Sequence, residues 1–201
     1  MTMTTDRPAA SHFAAARRAM IDSQLRVSGV TQAGVIAAMS RLPREDYVPA
    51  SARAHAYVDR AIPLGDGHAL PAPLVHGMLL AEAAPRADDT ALLVGCGSGY
   101  LAALLGPMVG SLAVLTPTEA AARKGKGTHS LVLVEGAIGN LPAGLAAQLA
   151  EGGRIVTGLV TRGVTRLATG RKIAGEVALL PLAEIGIPVL PEFATPQRWS
   201  F

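Results

Sequence analysis

The chain has 201 residues, half of them hydrophobic and 16% charged, a balance that excludes a largely disordered protein. Its 18 basic and 15 acidic side chains leave a formal charge of +3 with no dense basic stripe, which argues against nucleic acid as a partner. Cys96 is the only cysteine, so an intramolecular disulfide is excluded; no apolar leader or membrane-length apolar run occurs, and a cytoplasmic protein without a membrane anchor is expected.

Residues 1–11 read as a loose tail. A helix fits FAAARRAMIDSQLRVSG, with Phe13, Ala16, Met20, Ile21 and Leu25 in helical spacing and Gly29 to close it. Thr31 is placed to cap a second helix through Val35, Ile36 and Met39, which the segment LPRED stops at Pro43. Another short helix fits Val48 to Ala56. The segment AIPLGDGHALPAP is rich in Gly and Pro and reads as a loop lining a site. Leu74 to Ala84 follows as a helix facing a core.

From residue 90 the element types alternate. Thr90 to Val94, Ser111 to Leu115, Leu131 to Val134 and Arg154 to Leu159 are short apolar strand candidates. Helices fit Tyr100 to Leu105 and Leu141 to Leu149. Val164 to Ala168 and Glu176 to Leu180 read as a hairpin-like pair near an edge. This order predicts an α/β fold, doubly wound, with a mostly parallel sheet covered on both faces.

The first of these strands runs into GCGSG, with Gly95, Gly97 and Gly99 separated by Cys96 and Ser98. Such a turn permits positive φ and aims backbone N–H groups and a helix start into a crevice. By itself the spacing is a weak signal, shared by cofactor sites and structural turns. Cys96 has no base or cation beside it in sequence and reads as a packed thiol. Near the end of the second strand, a nucleotide-type site commonly offers an acid to the ribose hydroxyls; this chain has Thr116 there, with Glu119 three residues on. The cluster Arg123, Lys124 and Lys126 reads as a solvated turn.

Several segments together resemble the protein-L-isoaspartate O-methyltransferase family: MIDSQLRVSGV, AMSRLPREDYVP, AYVDRAIPLGDGHALPAPLV, LLVGCGSGYLAALL, LVLVEGAIGNLPAGLAAQLAEGGRIV and the terminal FATPQRWSF. The resemblance implies methyl transfer from S-adenosylmethionine to the α-carboxylate of an isoaspartyl residue in a protein or peptide. It also implies a methyltransferase-type sheet with added N-terminal helices. On this basis residues 1–85 form the helical extension and substrate-side loop, and 86–201 a shortened α/β domain, packed as one unit. Gly95, Cys96, Gly97, Ser98, Gly99 and Thr116 are the expected cofactor-side residues, and no metal is expected.

The chain departs from the family at three points. Pro71 stands where the loop offers a hydroxyl, leaving His68 as the candidate donor to a substrate carboxylate. Thr116 stands at the ribose acid. Only 14 residues, PTEAAARKGKGTHS, separate Thr116 from Leu131, enough for one crossover but not for a helix, an edge strand and a second helix. An edge strand is therefore expected to be missing, and with it the wall that faces adenine. Two readings stand side by side: a methyltransferase of the isoaspartate-repair type, and a non-catalytic homologue with impaired cofactor binding that serves as a protein-interaction or homodimer subunit. An enzyme for a different small cofactor is a third.

Overall fold

A computed structural model describes residues 7–195. The first six residues of the expected tail and the last six of FATPQRWSF lie outside the described residues. Helix α1, Arg7–Met20, begins earlier than the expected Phe13, within an Ala-rich run of high helix propensity. One π turn, Ile21–Leu25, and a 3-10 turn, Arg26–Ser28, prolong it. Gly29, at φ 86°, ends it as its sequence position suggests.

Helix α2 spans Ala33–Arg41. Thr31 does not cap it: Gln32 is the N-cap residue, without a side-chain cap, and its Oε1 accepts the Thr31 N–H instead. Leu42 turns extended before Pro43, as a residue preceding proline must. Two 3-10 segments follow, Arg44–Tyr47 and Ala50–His55.

The expected loop around His68 is a hairpin. Strands β1, Ile62–Gly65, and β2, His68–Leu70, pair antiparallel, with Gly65 opposite His68. The two residues between, Asp66 and Gly67, have φ of 50° and 78°, the handedness that a two-residue hairpin turn requires. Helix α3, Pro73–Ala83, then starts with proline in its first turn.

The alternating half contains β3 Thr90–Val94, α4 Tyr100–Leu105, β4 Ser111–Leu115, α5 Pro117–Ala122, β5 His129–Ile138, α6 Ala143–Ala146, β6 Leu149–Thr161, β7 Val164–Ile173 and β8 Glu176–Glu184. The expected helix over 141–149 shrinks to one turn because Leu149 already belongs to β6. The hairpin pair is longer than expected. Its turns, Arg162–Gly163 and Ala174–Gly175, repeat the positive-φ pairing seen at Asp66–Gly67.

The main sheet has six strands in the order β4-β3-β5-β6-β7-β8. The first four run parallel; β7 pairs antiparallel with β6, and β8 antiparallel with β7, so that β7 alone is reversed. Among the described residues no strand lies outside β4, which is the sheet's edge. This is the doubly wound, mostly parallel α/β architecture expected from the sequence, with no further strand beyond β4 among the described residues.

Side-chain alternation along β3 explains the two layers. Ala91 and Leu93 enter a core with Leu25, Met39, Leu79 and Leu101 from the helices on one face. Leu92 and Val94 enter a second core with Ala120 of α5, Leu145 of α6, Leu190 and Phe193. The chain leaves β3 toward β4 on one side and reaches β5 on the other. The crevice beyond the carboxyl end of β3 is therefore a topological switch point, where open α/β sheets hold ligands.

Candidate functional site

The glycine turn occupies that switch point. Gly97 and Gly99 adopt φ of 100° and 78°, and Gly99 is the N-cap residue of α4. No atom lies within 4 Å of where a Cβ on Gly97 would sit, so this backbone faces open space. Two cavities meet there. One, of about 200 Å³, is lined by the turn glycines together with Val114 and Leu115 of β4, Thr116, Glu119 and Glu135. The other, of about 410 Å³, is lined by Asp46, Tyr47, Asp66 and His68 together with Cys96, Gly97 and Ser98. The hairpin β1–β2 and the 3-10 segment after α2 thus form the second wall opposite the turn.

Beneath the turn lies a buried polar chain that was not anticipated from the sequence. Glu135, at the end of the apolar part of β5, is 1% exposed. Its Oε2 accepts the Cys96 N–H at 2.8 Å, and its Oε1 pairs with His76 Nε2 at 2.8 Å. Arg44 Nη1 lies 3.1 Å from His76 Nδ1. A guanidinium can only donate, so Nδ1 accepts and Nε2 carries the imidazole hydrogen toward Glu135. Burial, with the Arg44 charge, pushes the His76 pKa down against the pull of Glu135, consistent with a neutral ring. Arg44, also fully buried, donates further to Ala56 O at 2.8 Å and Pro71 O at 2.6 Å, and its guanidinium lies 4.9 Å from the Tyr100 ring centroid.

Cys96 is packed, as its sequence context implies. Burial first, and then the Glu135 charge, push its thiol pKa up to about 12. It stays protonated at neutral pH and is no nucleophile.

Thr116 is exposed and caps α5. Its Oγ1 accepts the Glu119 N–H at 3.2 Å, while a Glu119 carboxylate oxygen accepts the Thr116 N–H at 2.8 Å and its hydroxyl at 2.9 Å. This is a reciprocal capping box. It folds Glu119 back to the mouth of the smaller cavity, so a carboxylate stands beside the position where Thr116 offers only a hydroxyl. The connection that follows contains α5 and no strand among the described residues.

His68 is half-buried at the larger cavity. Its Nε2 lies 3.1 Å from Glu192 Oε1, which also accepts from Thr118 Oγ1 at 3.1 Å. Burial raises the Glu192 pKa, but hydrogen bonds from its own N–H, His68 and Thr118 outweigh it and hold the carboxyl below its ordinary value. Glu192 arrives on a C-terminal strap. Ala137 of β5 bridges Val189, donates to Pro188 O at 2.7 Å and accepts from Leu190 N at 2.9 Å. The strap needs Gly136, where a Cβ would fall 2.5 Å from Leu190 Cγ. Pro71 is buried; it brings no hydroxyl, and its carbonyl is held by Arg44.

Among the described residues, no cluster of three or more His, Cys, Asp or Glu is arranged for a metal, and no helix is long and apolar enough to cross a membrane.

A family model for protein-L-isoaspartate(D-aspartate) O-methyltransferase (PCMT) matches residues 15–122, stopping at the last residue of α5. The protein-L-isoaspartate O-methyltransferase of Roseiflexus castenholzii is 34% identical over 169 residues, 72% of this chain and 77% of the relative. That of Koribacter versatilis is 30% identical over 195 residues, 85% and 88% of the two chains. A Plasmodium falciparum PCMT-type β-aspartate methyltransferase, solved in complex with S-adenosyl-L-homocysteine, superposes with a TM-score of 0.69 at 16% identity, over 88% of this chain and 98% of that one. The fold follows from that superposition, and the kinship from the matched span and the identities: the chain belongs to the S-adenosylmethionine-dependent protein-L-isoaspartate O-methyltransferase family.

Proposed function

We propose that the chain transfers a methyl group from S-adenosylmethionine to a carboxylate of a protein or peptide, of the isoaspartyl type. The observation that carries this reading is the pair of cavities sharing Gly97, one on the cofactor side of the turn and one on the substrate side. Gly95, Cys96, Gly97, Ser98 and Gly99 cradle the cofactor, and Thr116 with Glu119 takes the ribose side. The donor set fits: an open, Cβ-free backbone faces the cavity, and a folded-back carboxylate suits two adjacent hydroxyls. When bound, S-adenosylmethionine supplies an electrophilic methyl carbon.

A carboxylate is already ionised and nucleophilic at neutral pH, so the protein needs alignment and water exclusion rather than a strong base. His68, held by Glu192 through Nε2, offers the Nδ1–H of its imidazolium form to the substrate carboxylate in place of the hydroxyl that Pro71 lacks. Residues 1–85 supply the hairpin and 3-10 wall of this substrate side, and 86–201 supply the cofactor side together with Glu192 and the shared turn.

One observation favours the second reading, a non-catalytic homologue acting as an interaction or dimer subunit. The cofactor-side cavity, about 200 Å³, falls below the roughly 300–1,000 Å³ of common ligand pockets. Beside it, Val114 on the uncovered edge strand is 52% exposed. Calorimetric titration with S-adenosylmethionine separates the two. Saturable micromolar binding, followed by methylation of an isoaspartyl peptide, is the expected result; no heat at millimolar ligand overturns the enzyme reading.

A further inference from the structure

We propose that Glu135 is a specificity-determining residue of the cofactor-side cavity, whose buried charge makes this glycine turn select a cationic nucleoside over neutral or phosphate-bearing ones. The inference rests on the cofactor reading above. A glycine-rich turn at the start of a helix ordinarily offers its N–H groups to an anion. In this chain the Cys96 N–H is already consumed by Glu135 Oε2 at 2.8 Å. The same oxygen lies 3.6 Å from where a Cβ on Gly95 would sit, directly against the turn.

Both Glu135 oxygens face donors. Arg44 fixes the His76 tautomer, so His76 donates to one oxygen while Cys96 donates to the other. Two donors, one on each oxygen, are the partners that a carboxylate takes. The compensating charge of Arg44 stands behind the imidazole and does not line the cavity. Among the residues lining the cavity, the only charged ones are Glu135 and Glu119, both acidic. A phosphate placed here finds one donor already occupied and meets two carboxylates. A sulfonium finds the opposite.

The arrangement also bears on turnover. Transfer of the methyl group forms a bond from the substrate carboxylate oxygen to the methyl carbon and breaks the S–CH₃ bond, whose electron pair stays on sulfur. The cation becomes a neutral thioether and the substrate anion a neutral ester, with no proton released. The attraction to Glu135 is lost in the same step, which favours departure of the spent cofactor.

The test is calorimetric titration of the wild type, Glu135→Gln and Glu135→Asp with S-adenosylmethionine, S-adenosylhomocysteine and ADP. Wild type is expected to prefer the sulfonium to the thioether by at least about tenfold, a modest value for a unit charge near a buried carboxylate, and to leave ADP unbound at millimolar concentration. In Glu135→Gln that preference falls by roughly tenfold, whereas Glu135→Asp keeps it. A ratio in Glu135→Gln within about twofold of wild type, or ADP binding to the wild type as tightly as S-adenosylmethionine, overturns the inference while leaving the cofactor reading intact. If the wild type binds neither nucleoside, both fall together. Glu135→Gln points an amide at the His76 N–H. If that variant lacks a cooperative melt, the wild-type ratio decides: equal affinities, or a tighter thioether, overturn the inference.

Discussion

Replacing Asp89 by Asn removes a charge from the base of the sheet with almost no change in shape. Asp89, 4% exposed, precedes β3 and accepts four hydrogen bonds: from Arg154 Nη1 and Nη2 at 3.0 and 2.6 Å, Ser130 Oγ at 2.7 Å and Arg86 N at 2.8 Å. It therefore ties together the starts of β3, β5 and β6. The Arg154 hydrogen bonds chiefly, against burial and with help from Ser130 and Arg86, bring its pKa down from 3.8 to about 2. A depressed carboxyl pKa stabilises the fold above the unfolded-state value and loses that contribution as pH falls through the folded-state value. The difference amounts to about 2 kcal/mol at pH 7 and about 1 kcal/mol at pH 3. Urea unfolding of wild type and Asp89→Asn at the two pH values measures it. The cost of the substitution should be larger at pH 7, and shrink by about 1 kcal/mol at pH 3. An equal cost at both would show that Arg154 does not hold this carboxyl ionised.

Gly97→Val should lose S-adenosylmethionine binding while the protein still folds. No protein atom obstructs the new Cβ, and the φ of 100° adds about 1–3 kcal/mol of strain. Unchanged calorimetric affinity would place the ligand elsewhere. Arg44→Met strands the carbonyls of Ala56 and Pro71 and leaves Glu135 without its cation, so a loss of about 3–5 kcal/mol is expected in denaturant unfolding; a loss under about 1 kcal/mol would mean that water or another donor satisfies those groups.

The parallel strands were legible because each is a short apolar run bounded by turn residues, as TALLV before GCGSG is. The absent edge strand was legible from chain length alone, since 14 residues between Thr116 and Leu131 admit only one crossover. The β1–β2 hairpin was hidden by the density of Gly and Pro around it. The dipeptide Asp66–Gly67 carried the turn signal, but no alternating strand pattern accompanied it. The buried chain under the turn left a trace: Glu135 interrupts LVLVEGAI, and His76 sits on an otherwise apolar helix face. A buried polar residue is the informative exception in such a run. Its partners came from three separate segments, and only folding brings Arg44, His76, Glu135 and Cys96 together. Glu192 was equally beyond reach, being 124 residues from His68.

The strap that carries Glu192 latches the hairpin from far along the chain. His68 gains its carboxylate partner only once residues 188–193 have been laid along β5. The six-strand sheet closes with β8 at Glu184, before the strap begins, so the sheet and the latch on the hairpin are separate pieces of structure. Removing the strap would leave the architecture standing and the His68 side chain without its carboxylate partner.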